Sequence, residues 1–179
     1  PLHRNNALQP DTWSLSDSAG NILKPTKVAL KQKPVGGAGK EVRDNWYTLT
    51  FADELKSGEK YTLDFGQHGM KETFTFDPKQ MRSEAVHASH IGYRPDDTAK
   101  IGFLSYWSGT AGAESYAAGL SFSLLDSKTR ESVFDSKTQL HMGKSTKSYG
   151  THAKGRNYAL SDVHICDFTA FNKPGEYVL

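Results

Sequence analysis

The sequence predicts an all-β protein made of two β-sandwiches in tandem. Three observations carry that expectation. Apolar residues recur at alternate positions along short runs, as in Tyr47, Leu49, Phe51 and again in Tyr61, Leu63, Phe65; that spacing puts them on one face of a half-buried strand. Clusters of Gly, Pro, Asn, Asp and Ser punctuate the runs at short intervals, where the chain must turn. The runs carry no helical period, and many short strands at regular spacing are the pattern of a sandwich.

Residues 1–78 form the first expected module. Its strands are expected at 12–16, 27–33, 46–51, 60–65 and 72–76, with Trp13 and Leu15, Val28 and Leu30, and Phe74 and Phe76 supplying the remaining alternation. Turns fall at Ser18-Ala19-Gly20-Asn21, at 34–39, at Ser57-Gly58-Glu59 and around Gly66 and Gly69, residues that either accept a positive φ or bond to their own backbone. Residues 79–82 are the expected linker, part of a short polar stretch that also holds Pro78 and limits the relative orientation of what it joins. Residues 83–179 form the second module. An extended run at 84–90 is followed by Gly92 and the Pro95-Asp96-Asp97 cluster, which break it. A strand resumes at 100–107 with Ile101, Phe103, Leu104 and Tyr106. Further strands are expected at 120–125, 132–135, 158–168 and 176–179, with a long lysine-rich loop at 143–156.

Two stretches of the second module carry a family resemblance. Val86-His87-Ala88-Ser89-His90-Ile91-Gly92-Tyr93-Arg94-Pro95, with the turn and the Lys100 strand after it, resembles the opening strands of the immunoglobulin-like module that precedes the catalytic domain in glycoside hydrolase family nine, the cellulase family. Asp167-Phe168 followed by Pro174-Gly175-Glu176-Tyr177-Val178-Leu179 resembles that module's late strands, and Leu125-Asp126 with Glu131, Val133 and Phe134 matches its middle. A Pro-Gly turn before an aromatic strand has a physical basis, since proline presets one turn dihedral and glycine takes a positive φ at the next. The insertion at 108–118 and the lysine-rich loop depart from the shortest members. The first module resembles bacterial immunoglobulin-like repeats more loosely, through Leu15 to Asn21, Tyr47 to Phe51 and Leu55 to Leu63. The resemblance thus implies two tandem immunoglobulin-like sandwiches.

Bulk properties bound the function. With 22 Lys and Arg against 20 Asp and Glu, the chain is near charge balance, which offers no basic stripe for a nucleic acid. No apolar run approaches the ~20 residues of a membrane span. The single cysteine, Cys166, excludes an intrachain disulfide. The chain begins at Pro1 without a signal peptide and stops within an apparent strand, so a fragment or processed chain is expected.

No catalytic, cofactor-binding or metal-binding residue is assigned from the sequence, and no cofactor is expected. Glycosidic hydrolysis needs two carboxylates across a cleft. The family's Asp-Ala-Gly-Asp-type motif and its late glutamate acid have no counterpart, and the (α/α) barrel that carries them would need several hundred residues. Asp96 and Asp97 are adjacent, but in a turn where Asp bonds its own backbone. Of the seven histidines, His87 and His90 are three apart, and odd separations on a strand face opposite sides; His141, His152 and His164 are scattered. Cys166 has apolar neighbours and reads as a buried, inert thiol. Trp46-Tyr47 and Tyr106-Trp107 offer a sugar-stacking platform, against which packing is the stronger reading because one of each pair faces the core. The loop at 143–156, with Lys144, Lys147, Lys154 and Arg156, reads as a solvated segment rather than an anion site, and Gly36-Gly37-Ala38-Gly39 lies between strands and is a loop rather than a phosphate cradle.

Taken with the resemblance, these residues imply the non-catalytic N-terminal region of a secreted or periplasmic bacterial family-nine glycoside hydrolase that cleaves β-1,4-glucan. The implied partner is its own catalytic (α/α) barrel following this chain, with β-glucan as a possible second partner; nucleic acid and membrane are not expected. A stand-alone carbohydrate-binding module and a cell-surface adhesion module are the alternatives.

Overall fold

The computed structural model describes residues 4–37, 42–66, 69–148 and 154–179. The chain is all-β; among the described residues strands pair only antiparallel and helical structure is confined to single turns. It divides into two compact units, Pro1–Met81 with Ser108–Ala111, and Arg82–Trp107 with Gly112–Leu179.

In the first unit a helical turn α1 (Arg4–Ala7) and a 3-10 turn at Pro10–Thr12 precede β1 (Ser14–Ser16). The strand expected from residue 12 therefore begins two residues later. Pro10 fixes the φ that starts the 3-10 turn, and the Trp13 N–H closes it on the Pro10 carbonyl at 3.0 Å. β2 (Ile22–Leu23) is an addition to the expected set; it pairs Leu23 with Leu15 across the turn that Asp17 organises. The Asp17 carboxylate accepts bonds from the Ala19 and Asn21 N–H groups and from the Asn21 side chain. β3 (Lys27–Pro34) and β4 (Arg43–Thr50) pair over their whole length, from Lys27 with Thr50 to Pro34 with Arg43. β5 (Lys60–Asp64) and β6 (Lys71–Thr75) complete a sheet ordered β2-β1-β5-β6, beside the two-stranded β3-β4 sheet.

Trp13 sits at the centre of this unit. It is 2% exposed, stacks edge-on against Phe65 at 4.9 Å and tilts on Tyr47 at 5.5 Å, contacts between rings that add to their area burial. Its Nε1–H donates to the Ala7 carbonyl at 2.8 Å, so the buried indole leaves no polar atom unpaired. The Ser108–Ala111 segment covers the edge of β3 that faces away from β4: the Leu30 N–H donates to Thr110 Oγ1 at 3.0 Å. An open strand edge is a template for wrong pairing, and a loop laid along it removes the hazard. Gly109 makes that approach possible, because a Cβ there would lie 2.0 Å from the Leu30 carbonyl oxygen at a φ of +76°.

The second unit is a two-sheet sandwich. β7 (Val86–His87), β8 (Ile101–Leu104), β12 (Val163–Asp167) and β11 (Gln139–Met142) form a sheet ordered β11-β12-β8-β7. β9 (Ser121–Asp126), β10 (Ser132–Lys137) and β13 (Tyr177–Val178) form the other, ordered β10-β9-β13. β11 was not expected, since its apolar alternation is limited to Leu140 and Met142. The extended run expected at 84–90 shortens to Val86–His87; beyond it Gly92 and Asp97 close successive turns on Ser89 and Arg94. Leu124, Cys166 and Phe168 form the buried apolar centre. Between β9 and β10, the Asp126 carboxylate accepts the Lys128 and Thr129 N–H groups, each at 2.9 Å.

Candidate functional site

The second unit holds a cavity of about 350 Å³ lined by residues from both of its sheets and their connecting segments. Four parts of the chain wall it: residues between Ala88 and Lys100 before β8, Leu124 of β9, residues between Phe168 and Gly175 after β12, and Tyr177 and Leu179 at β13. Rings make up much of the wall. Tyr93 stands edge-on to Phe168 at 5.0 Å, and Phe171 edge-on to Tyr177 at 4.8 Å. Both pairs adopt the perpendicular arrangement that the ring quadrupole favours. The Tyr93 hydroxyl donates to the Ile101 carbonyl and accepts the Ser89 N–H, which fixes the loop ahead of β8.

Lys100 holds the site together and was missed by sequence reasoning. A lysine is almost never fully buried without partners, and Lys100 is 3% exposed. Its ammonium donates to the Pro95 carbonyl at 2.9 Å, the Asp97 carbonyl at 3.3 Å and Asn172 Oδ1 at 3.0 Å. Its backbone N–H donates to Thr169 Oγ1 at 3.0 Å, and its carbonyl accepts the Phe168 N–H at 3.0 Å. One residue therefore ties the Pro-Asp-Asp turn to the segment after β12. The signal available in the sequence was its place, directly before an apolar strand and after a turn rich in carbonyl acceptors.

The residues singled out in the sequence fall elsewhere or take structural parts. Asp97 accepts the Arg94 N–H at 2.7 Å, and Asp96 pairs with the Arg94 guanidinium at 2.8 Å on an exposed turn; the two carboxylates stabilise a turn. His87 Nε2 lies 3.1 Å from the Ser105 carbonyl, His90 is exposed, and His141 lies beside Phe103 at 6.3 Å. His164 is buried at 2% exposure with Tyr116 edge-on to its ring at 6.2 Å. Burial, with the charge of Glu114 adding to it, pushes the Tyr116 hydroxyl above the ordinary tyrosine pKa. His152 lies outside the described residues, and among those described no three of His, Cys, Asp and Glu are placed to hold a metal ion. Cys166 is buried on β12, and burial pushes its thiol up.

Of the tryptophans, Trp46 is 39% exposed, and the Lys33 ammonium covers one face of its ring at 3.8 Å from the centroid. Trp107 is half-buried and its backbone bridges to Ala113. In the lysine-rich loop, residues 149–153 lie outside the described set, as do Ala38 and Gly39 of the glycine cluster. Asn157, fully buried, anchors the far side of that loop by donating to the Gly143 and Ser161 carbonyls. Ser161 shares a 2.6 Å bond with Ser105 of the strand β8 side. This polar brace was also missed, because Asn and Ser in a loop read as solvated.

A seven-stranded antiparallel sandwich with sheets ordered β10-β9-β13 and β11-β12-β8-β7 defines the second unit as an immunoglobulin-like module. Residues 81–179 match the model of the cellulase N-terminal Ig-like domain. That span is more than half of the chain, and the chain belongs to this family. The family resemblance seen in the sequence is therefore correct, and membership implies a catalytic domain as companion. No curated protein and no solved structure matches the chain.

Proposed function

We propose that this chain is the non-catalytic N-terminal region of a secreted or periplasmic bacterial glycoside hydrolase of family nine. Residues 1–78 and 83–179, joined by 79–82, are its two accessory sandwiches. Their work is to pack against the catalytic (α/α) barrel that follows, to stabilise it and to shape its flank, while the barrel hydrolyses β-1,4-glucan. The observation that carries this reading is the family match over residues 81–179. The acids support it in a second way. Asp97 accepts the Arg94 N–H within its own turn. The Asp126 carboxylate accepts two backbone N–H groups, which holds it in the charged form and suits a turn rather than proton transfer.

The test is an assay of the pure chain on carboxymethyl-cellulose and on a chromogenic β-glucoside. No turnover above the buffer blank is expected. Steady hydrolysis by the pure 179-residue chain overturns the reading.

A further inference from the structure

We infer that the cavity of the second unit is a binding site for a small organic anion with an apolar body, an aryl carboxylate being the simplest member of the class. Three observations converge on it. First, its volume of about 350 Å³ falls in the range of small-ligand sites, which are concave, mostly apolar and carry few polar groups. The ring pairs Tyr93–Phe168 and Phe171–Tyr177 supply flat apolar walls.

Second, the wall is positively biased. Buried Lys100 is held by two carbonyls and an amide oxygen, all neutral, and no carboxylate among the described residues forms an ion pair with it. Asp167 is held low chiefly by the Thr169 hydroxyl and N–H, with the charge of Lys100 a lesser cause. A buried charge without a counter-ion keeps its field in the low-dielectric space around it. Lys173 adds an exposed ammonium at the same cavity, and Arg94 a guanidinium already paired with Asp96. No Asp or Glu lines the cavity.

Third, the site is preformed. Lys100 ties both bordering segments, the Tyr93 hydroxyl closes the loop ahead of β8, and the Tyr177 hydroxyl donates to the Pro174 carbonyl across the Pro-Gly turn. A rigid cavity loses less on binding than one that must be ordered. Two stretches that carry the family resemblance, Gly92-Tyr93-Arg94-Pro95 and Pro174-Gly175-Glu176-Tyr177, both contribute to the lining, Glu176 excepted.

The experiment is a titration of the 179-residue chain, amidated at Leu179 so that this lining residue brings no α-carboxylate, with 3-phenylpropionate, read by calorimetry and by amide chemical shifts. Saturable binding is expected, with shifts centred on Tyr93, Lys100, Phe171 and Tyr177. Neutral 3-phenylpropan-1-ol should bind at least ~10-fold more weakly, a difference that one favourable charge interaction supplies. Phe171→Ala should weaken binding; because it thins the core, Lys173→Glu is the second variant, which leaves the rings intact and should reverse the preference for the anion over the alcohol. Absence of saturation, equal affinity for the alcohol, an unchanged anion preference in Lys173→Glu, or shifts centred on another surface each overturn the assignment. So does binding to this chain that vanishes in the longer parent protein, which would give the cavity to a protein segment.

Discussion

Lys100→Met is the most informative single change in the second unit. The substitution keeps a long unbranched stem and removes the ammonium from the Pro95 and Asp97 carbonyls and Asn172 Oδ1. Hydrogen bonds to a charged group contribute about 1.5–3 kcal/mol each. The longest of the three, at 3.3 Å, lies outside the usual distance range and counts for less. Against the loss stands relief of the cost of burying a charge, several kcal/mol after relaxation, and exposed Pro95 and Asn172 can turn to water. The loss of three acceptor contacts should still win, because the two segments they join lose their tie, and the net destabilisation should be about 2–3 kcal/mol. For a domain of this size that is a fall in melting temperature of about 10–20 °C. Urea unfolding followed by circular dichroism gives the free energy, and amide exchange locates it: Phe168 and the residues after it should lose protection. A destabilisation below about 0.5 kcal/mol, the range of an ordinary surface substitution, would refute the argument that the ammonium holds this end of the sandwich.

Gly109→Ala should cost the first unit at least ~2 kcal/mol, since the new Cβ meets the Leu30 carbonyl oxygen at 2.0 Å in a left-handed backbone; an unshifted melting curve would count against the edge-covering role of Ser108–Ala111. Acid should destabilise the fold. Asn21 holds Asp17 low, Ser18 holds Glu59 low, Lys71 holds Asp64 low, the Thr129 N–H holds Asp126 low and Thr169 holds Asp167 low. A carboxylate whose folded pKa lies below its unfolded value contributes stability that is present above the unfolded pKa and lost as pH falls through the folded one. Stability measured by denaturant should therefore be level near neutrality and fall as pH drops below the ordinary Asp and Glu range; a rise on acidification contradicts this. The Cys166 thiol, buried and held protonated, should react with Ellman's reagent only when denaturant is added, and rapid labelling of the native chain would contradict its placement.

Much of the strand pattern was legible because its signal is local. Tyr61 and Leu63, or Phe122 and Leu124, alternate on strands that bury one face, and β5 and β9 lie where that alternation put them. The elements that escaped are those whose stability comes from partners distant in sequence. β2 is two residues long and exists because Ile22 and Leu23 meet Ser16 and Leu15 across the Asp17 turn. β11 offers only Leu140 and Met142 in alternation, too short a run to stand out, and is held by pairing with β12. At Thr12 the strand pattern gave way to the 3-10 turn begun at Pro10, because the φ proline fixes outweighs an alternation of two residues. The cavity escaped for a related reason. Its rings come from three separated stretches, and Lys100, read alone, is a polar residue at the start of a strand. Only the fold brings Asn172 and the Pro-Asp-Asp carbonyls around its ammonium.

The central claim is that these sandwiches serve a catalytic body instead of acting alone. It is tested most directly by the thermal inactivation of the glucan-hydrolysing activity of the parent protein, with and without residues 1–179. Removing them should shorten the half-life of that activity at elevated temperature several-fold, and adding the free chain back should restore part of it. A parent without glucan-hydrolysing activity, or one whose half-life is the same after the deletion, would contradict the account.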